Sequence, residues 1–235
     1  MEELINFAKG PLFRFSFAVL ILGLLRLVFL TISNGLTAKK KAKDKALPKK
    51  YVRKLTWGFV LPLRAFRVKP VYGFVSILFH IGLLITPIFL FDHALLIDNS
   101  IGFSWIAVSL SKSTADILTI ATIVTGILLF LMRLSNKFSR FLSRTQDFLW
   151  PLLLLIPFVS GMICAQITVS PEAYQVFFLI HVLSGCLIFI LIPFTKIAHC
   201  ILLPFGQWIT ARVWKLDPNG GENTLITLDK KENVI

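Results

Sequence analysis

The chain has four histidines, His80, His93, His181 and His199, and all four lie in or at the end of two apolar runs. None falls in the long polar stretches. An ionisable side chain inside a membrane segment is a functional signal by default, and neutral imidazole is a good ligand for haem iron. A b-type haem that only carries electrons takes two axial ligands. The competing reading is that each ring merely hydrogen-bonds across helices. Four rings confined to two segments favour ligation.

Spacing supports pairs. His181 and His199 lie 18 residues apart, which on a continuous helix is five whole turns and about 27 Å, with both rings on one face. The other run holds His80 and His93 and should run antiparallel. The expected pairs are His80 with His199 on one side of the membrane and His93 with His181 on the other. On a straight helix His80 and His93 would point about 140° apart, although Pro87 lies between them and can kink the helix. A single haem held by His80 and His181 therefore stands as an alternative, with His93 serving as a quinone contact.

These residues need spanning helices to position them, and the composition supplies them. Hydrophobic residues make up 56% of the 235 residues and charged ones 16%, against roughly 25% charged in a soluble domain. Five segments reach the roughly 20 apolar residues that a bilayer requires: about 12–32, 71–91, 115–132, 148–167 and 174–203. They predict an all-α integral membrane bundle of five helices over 1–215. A basic loop occupies 34–70 and a flexible cytoplasmic tail 216–235. Met1 to Gly10 lacks the basic start of a cleavable signal peptide. Cys164, Cys186 and Cys200 sit in apolar runs without ligand spacing and read as small hydrophobes.

The net charge of +13 is one-sided. Lys39 to Lys69 holds twelve basic residues and one acid, Asp44. Arg133, Lys137, Arg140 and Arg144 fall on the same side of a five-helix protein, as do Lys196, Arg212, Lys215, Lys230 and Lys231. The other side holds Lys9, Arg14 and Lys112. The positive-inside rule then predicts an outer N-terminus and a cytoplasmic C-terminus, in a bacterial or archaeal cytoplasmic (inner) membrane. The basic stretch reads as a topology determinant that touches lipid, or as a dock for a partner protein. Trp57, Phe59 and Phe66 suggest that part of it lies along the membrane surface. No nucleic-acid module is recognisable, and no internal repeat favours a transporter.

Further residues are candidates for chemistry. Arg26, within the first helix, pairs with a haem propionate or snorkels to the headgroups. A quinone site needs an apolar channel and a few polar groups. Lys112 can donate to a quinone oxygen, and Asp92 or Asp116 can accept a proton on quinol oxidation. Lys112 is equally an ordinary loop lysine. Ser160, Thr168 and Tyr174 are weaker candidates for lining such a site.

The run HVLSGCLIFILIPFTKIAH, His181 to His199, resembles the last helix of the haem b (gamma) subunit of respiratory nitrate reductase. That family sets two His at this spacing around an element matched here by Pro193, Phe194, Thr195 and Lys196. FHIG at Phe79 to Gly82 resembles its second helix. The stretch ITPIFLFDH, with Gly102 and Trp105, is more similar to related membrane subunits of sulfate-reducer redox complexes. His93 lies three residues further along than in the nitrate reductase anchors. The resemblance implies two b haems, ligated by His80, His93, His181 and His199, in a quinone-reactive electron-transfer subunit. It implies quinol as substrate, menaquinol in particular, with flow in either direction. It also implies a cytoplasmic iron–sulfur partner subunit and a periplasmic multihaem cytochrome. Nitrate is then a poor expectation for the terminal acceptor.

Overall fold

The structure, a computed structural model, describes residues 1–41 and 69–210. The described residues are helical, with no β-strand among them beyond one isolated parallel bridge, Leu90 to Leu110. Five helices are long and apolar enough to cross a membrane, so the protein is an all-α chain of multi-pass character. Large apolar side chains lie exposed along them, among them Leu22, Phe29 and Ile117. Lipid is the solvent that suits such surfaces.

The nine α-helices among the described residues are α1 (Glu2–Phe7), α2 (Phe13–Lys41), α3 (Pro70–Phe89), α4 (Phe91–Ile101), α5 (Lys112–Ser135), α6 (Lys137–Leu142), α7 (Thr145–Gln166), α8 (Pro171–Leu191) and α9 (His199–Thr210). A π-helical turn, Ala8–Leu12, carries Pro11 and joins α1 to α2. Proline lacks the N–H that an α-helix would use there, and a π-bulge accommodates the loss.

The chain divides into two compact units. The first comprises residues 1–20 and 65–191. In it α3 packs on α5, α5 on α7, and α7 on α8, while α1 and the π turn pack on α8. The four residues between α7 and α8 make those two antiparallel neighbours. The α3–α5 seam is built on small residues. Gly82 has no room for a Cβ because Thr122 Oγ1 occupies that position, and a Cβ on Gly126 would lie 2.9 Å from Phe79 and 2.8 Å from Leu155. Thr122 satisfies its hydroxyl on its own helix, donating to Leu118 O at 2.6 Å. Helices without a hydrophobic drive between them associate through such close approach.

The second unit comprises residues 21–64 and 192–235. Here Gly23 of α2 meets Pro193, where a Cβ would stand 2.5 Å from the proline Cβ.

Several expected boundaries shift. The first helix continues to Lys41, through Ser33, Asn34, Gly35 and Thr37, which are weak helix formers, with no proline to end it. The second ends at Phe89 instead of Phe91, at an extended Leu90 (φ −64°, ψ 131°). The expected loop after it begins as helix α4, closed by Gly102 at φ 71°. The expected fifth helix, 174–203, is interrupted: α8 stops at Leu191, two 3-10 turns span Ile192–Phe194 and Lys196–Ala198, and Thr195 between them is extended. Pro193 cannot donate to the helical ladder. The five-turn phase argument for His181 and His199 therefore does not apply. The loop residues 42–68, with Trp57, Phe59 and Phe66, and the tail from 211 lie outside the described residues.

Candidate functional site: a pair of imidazoles at a helix break

The end of α3 places His93. The last four carbonyls of a helix have no partner within it, and a membrane interior supplies none. Here each finds one. Pro87 O accepts from His93 Nδ1 at 3.0 Å and Ile88 O from the Trp105 indole at 2.8 Å. Phe89 O accepts from Leu110 N at 2.8 Å and Leu90 O from Ala94 N at 2.9 Å. The break at Leu90 turns the chain into α4, and His93, in its first turn, reaches back to the helix it has just left. His80 and His93 thus belong to different helices, so the 140° offset of a straight helix does not arise.

α7 and α8 place His181. Its Nδ1 donates to Pro157 O at 2.8 Å. Gly161, one turn beyond Pro157, leaves that carbonyl uncovered. A Cβ there would lie 2.9 Å from His181 Nδ1 and Cε1.

The two rings meet. The His93 and His181 ring centres are 5.7 Å apart and their planes differ by 23°. A carbonyl oxygen only accepts, so each Nδ1 carries the proton and each neutral ring keeps its lone pair on Nε2. Such an Nδ1 contact fixes a metal-binding tautomer. Two metal–imidazole bonds of about 2 Å, extended at each end by about 1.1 Å to the ring centre, span about 6.2 Å, so the rings would have to part by about half an ångström to take a metal between them. The donor set, two neutral imidazoles each with an unprotonated Nε2, is of the kind that would hold a b haem. Burial, then the neighbouring His181, pushes the His93 pKa down to about 4, against the upward pull of the Pro87 carbonyl and Asp92. The ring stays neutral, the form that binds metal. Among the described residues no group of three or more His, Cys, Asp or Glu forms a metal cluster; axial ligation of a haem needs only two side chains.

The other two histidines carry the same tautomer. His80 Nδ1 donates to Ser76 O at 2.7 Å on α3, and His199 Nδ1 donates to Lys196 O at 2.8 Å. Both rings are exposed. His80 belongs to the first unit and His199 to the second. The ring beside His181 is that of His93. α3 and α8 do not pack along their lengths.

The remaining candidates are spread out. Asp92 is exposed in the first turn of α4, and Lys112 is exposed at the start of α5. Each lies two residues beyond the Leu90–Leu110 bridge, so both sit at the His93 end of α3. Asp116 is half-buried one turn into α5. Arg26 is exposed on α2 and makes no ion pair among the described residues. Ser160 is buried and donates to Ile156 O. It borders an apolar cavity of about 300 Å³ between α7 and α8, lined also by Leu155, Val159, Phe177 and Ile180. Cys164, Cys186 and Cys200 are unpaired thiols. The sequence reading missed the structural use of Gly161 and of the Pro87 and Pro157 carbonyls. A proline followed four residues later by glycine on one helix face was the available signal.

Fold and site together define a helical multi-pass membrane chain that brings two neutral imidazoles side by side. A protein of Nitratidesulfovibrio vulgaris (strain Hildenborough) is similar to it, at 31% identity over 148 residues. The match covers 63% of this chain and 63% of that protein, whose name states no activity. No family model and no solved structure matches the chain.

Proposed function

We propose that the chain is the dihaem cytochrome b membrane subunit of a quinone-reactive oxidoreductase, passing electrons across the bilayer between the quinone pool and a partner redox subunit. One observation carries this reading: the side-by-side His93 and His181 rings, each locked by a proline carbonyl in the tautomer that leaves Nε2 for a metal. The sequence resemblance adds the quinone and the partners. A b haem, when bound, supplies reversible one-electron chemistry at its iron.

The chain's own residues do the rest. His93 and His181 hold one haem. Pro87, Pro157 and Gly161 fix those rings against rotation. His80 and His199 are assigned to the second haem on the resemblance, and their Nδ1 contacts give them the matching tautomer. Lys112 donates a hydrogen bond to a quinone oxygen, and Asp92 or Asp116 takes the proton that quinol releases. The apolar cavity beside Ser160 suits an isoprenoid tail. Arg26 faces a propionate or the headgroups. The charge distribution orients the N-terminus outward and the basic face toward a cytoplasmic iron–sulfur subunit. A periplasmic multihaem cytochrome and menaquinone complete the expected set, in a bacterial or archaeal cytoplasmic membrane.

The test is haem content per chain by pyridine haemochrome, with a dithionite-reduced minus oxidised spectrum. Two b haems per chain are expected, falling to one in His93→Ala. One haem in the unaltered chain, unchanged by that substitution, would support the monohaem alternative with His93 at the quinone. A haem-free protein made with ample haem supplied would overturn the redox reading and leave a transporter or assembly role.

A further inference from the structure

The connection between α5 and α7 carries the most exposed large apolar side chains among the described residues: Phe141 is 88% exposed, and Phe138 and Leu142 are each 79% exposed. On the six-residue helix α6 they occupy positions i, i+3 and i+4, which form one face. Lys137 is exposed beside that face and Arg140 on the side away from it, and Arg144 follows. Between Arg133 and Asp147 the one acid is Asp147, which lies 3.9 Å from the Arg133 guanidinium.

This connector is a fixed structure. Asn136 caps α6, its side-chain oxygen accepting from Ser139 N at 3.0 Å. Ser143 Oγ donates to Ser139 O at 2.6 Å, and Arg133 donates to Ser143 Oγ at 3.4 Å. Arg144 N donates to Asp147 Oδ2 at 2.9 Å, opening α7. One residue joins α6 to α5 and two join it to α7. Both neighbours are helices long enough to span, so α6 is held at the level where they leave the hydrocarbon.

A protein partner is a poor fit. A stable interface covers about 800 Å² per partner, whereas two aromatic side chains at roughly 150–250 Å² each and one leucine fall short of that. A lipid surface sets no such minimum, and an apolar face with cations off it is the composition of interfacial segments. We propose that α6 is a lipid-surface anchor: Phe138, Phe141 and Leu142 insert among the headgroups, and Lys137 and Arg140 bind anionic phospholipid. The inference is independent of haem and rests on α5 and α7 spanning the membrane.

The test uses the full chain in nanodiscs of phosphatidylcholine, with and without phosphatidylglycerol. A spin label is placed by Phe141→Cys, and separately by Arg140→Cys, in a background with Cys164, Cys186 and Cys200 replaced by alanine. Circular dichroism confirms that the helices persist. At 141 the label should be relaxed by oxygen and shielded from a water-soluble nickel chelate, while at 140 the chelate should reach it. In the native-cysteine chain, Lys137→Gln with Arg140→Gln should reduce phosphatidylglycerol retained by the purified protein, by about fivefold for each cation removed. Equal chelate access at 141 and 140 in both lipids would overturn the anchor. So would shielding at 141 that appears only when a membrane protein extract is added, and so would retention unchanged by the double substitution.

Discussion

At the residue scale, the imidazole pair depends on what is missing from α7. Gly161→Ala would put a Cβ at 2.9 Å from His181 Nδ1 and Cε1. The ring must move off Pro157 O, its 2.8 Å partner, and so lose its fixed tautomer. Loss of such an outer contact lowers metal affinity about 10–100-fold, and that is the expected fall in haem affinity at this pair, read by haem titration of the purified chain. Gly10→Ala, on the π turn and off the His181 face, is the control: nothing lies within 4 Å of a Cβ there. It should therefore keep its haem, and equal losses in the two variants would remove Gly161 from the site. The four imidazoles were legible in the sequence because histidine in an apolar run is conspicuous. The carbonyls that orient them were not, since every residue has one. Which carbonyl is uncovered is decided by packing and by the side chain one turn further on.

At the element scale, helix breaks decide where the rings fall. The sequence reading found five spanning segments because their hydropathy is unambiguous, and the interiors of those segments are helical. It extended helices through Leu90 and through Pro193 because hydropathy alone does not stop at a break. The end of α3 is stable only while its carbonyls are served from the chain beyond it, and this gives a second prediction. Trp105→Phe keeps an aromatic ring near Phe103, 5.5 Å away and tilted by 58° in the native chain, but removes the donor to Ile88 O. That contact is exposed, and a carbonyl left facing hydrocarbon without a donor costs several kcal/mol. Faster amide exchange over Leu90 to Ala94 is expected, together with preferential loss of the haem assigned to His93. Exchange unchanged from the native chain would mean that water or lipid headgroups replace the indole there.

At the scale of the whole molecule, the proposed haem and the one-sided charge each make a prediction. A ligand that binds only the folded chain stabilises it by about 2.7 kcal/mol when present at one hundred times its dissociation constant. Haem-loaded protein should therefore unfold at a higher temperature than haem-free protein in the same detergent, and His93→Ala should shrink the difference. The proposed orientation, with an outer N-terminus, rests on counting. Twelve basic residues crowd Lys39 to Lys69, and Lys9, Arg14 and Lys112 are the basic residues assigned to the opposite side. Holding the N-terminus outside therefore keeps the charge-dense loop from crossing, the barrier on which the positive-inside rule rests. A C-terminal fluorescent-protein fusion should glow and a C-terminal alkaline phosphatase fusion should stay silent, whereas a phosphatase fused after Asp98 should be active. The reverse pattern would invert the molecule and move the His93 pair to the cytoplasmic side. Quinol protons would then be released inward, and the pair would stand on the same side as an iron–sulfur partner. The fusions therefore bear on the direction of charge movement as well as on topology.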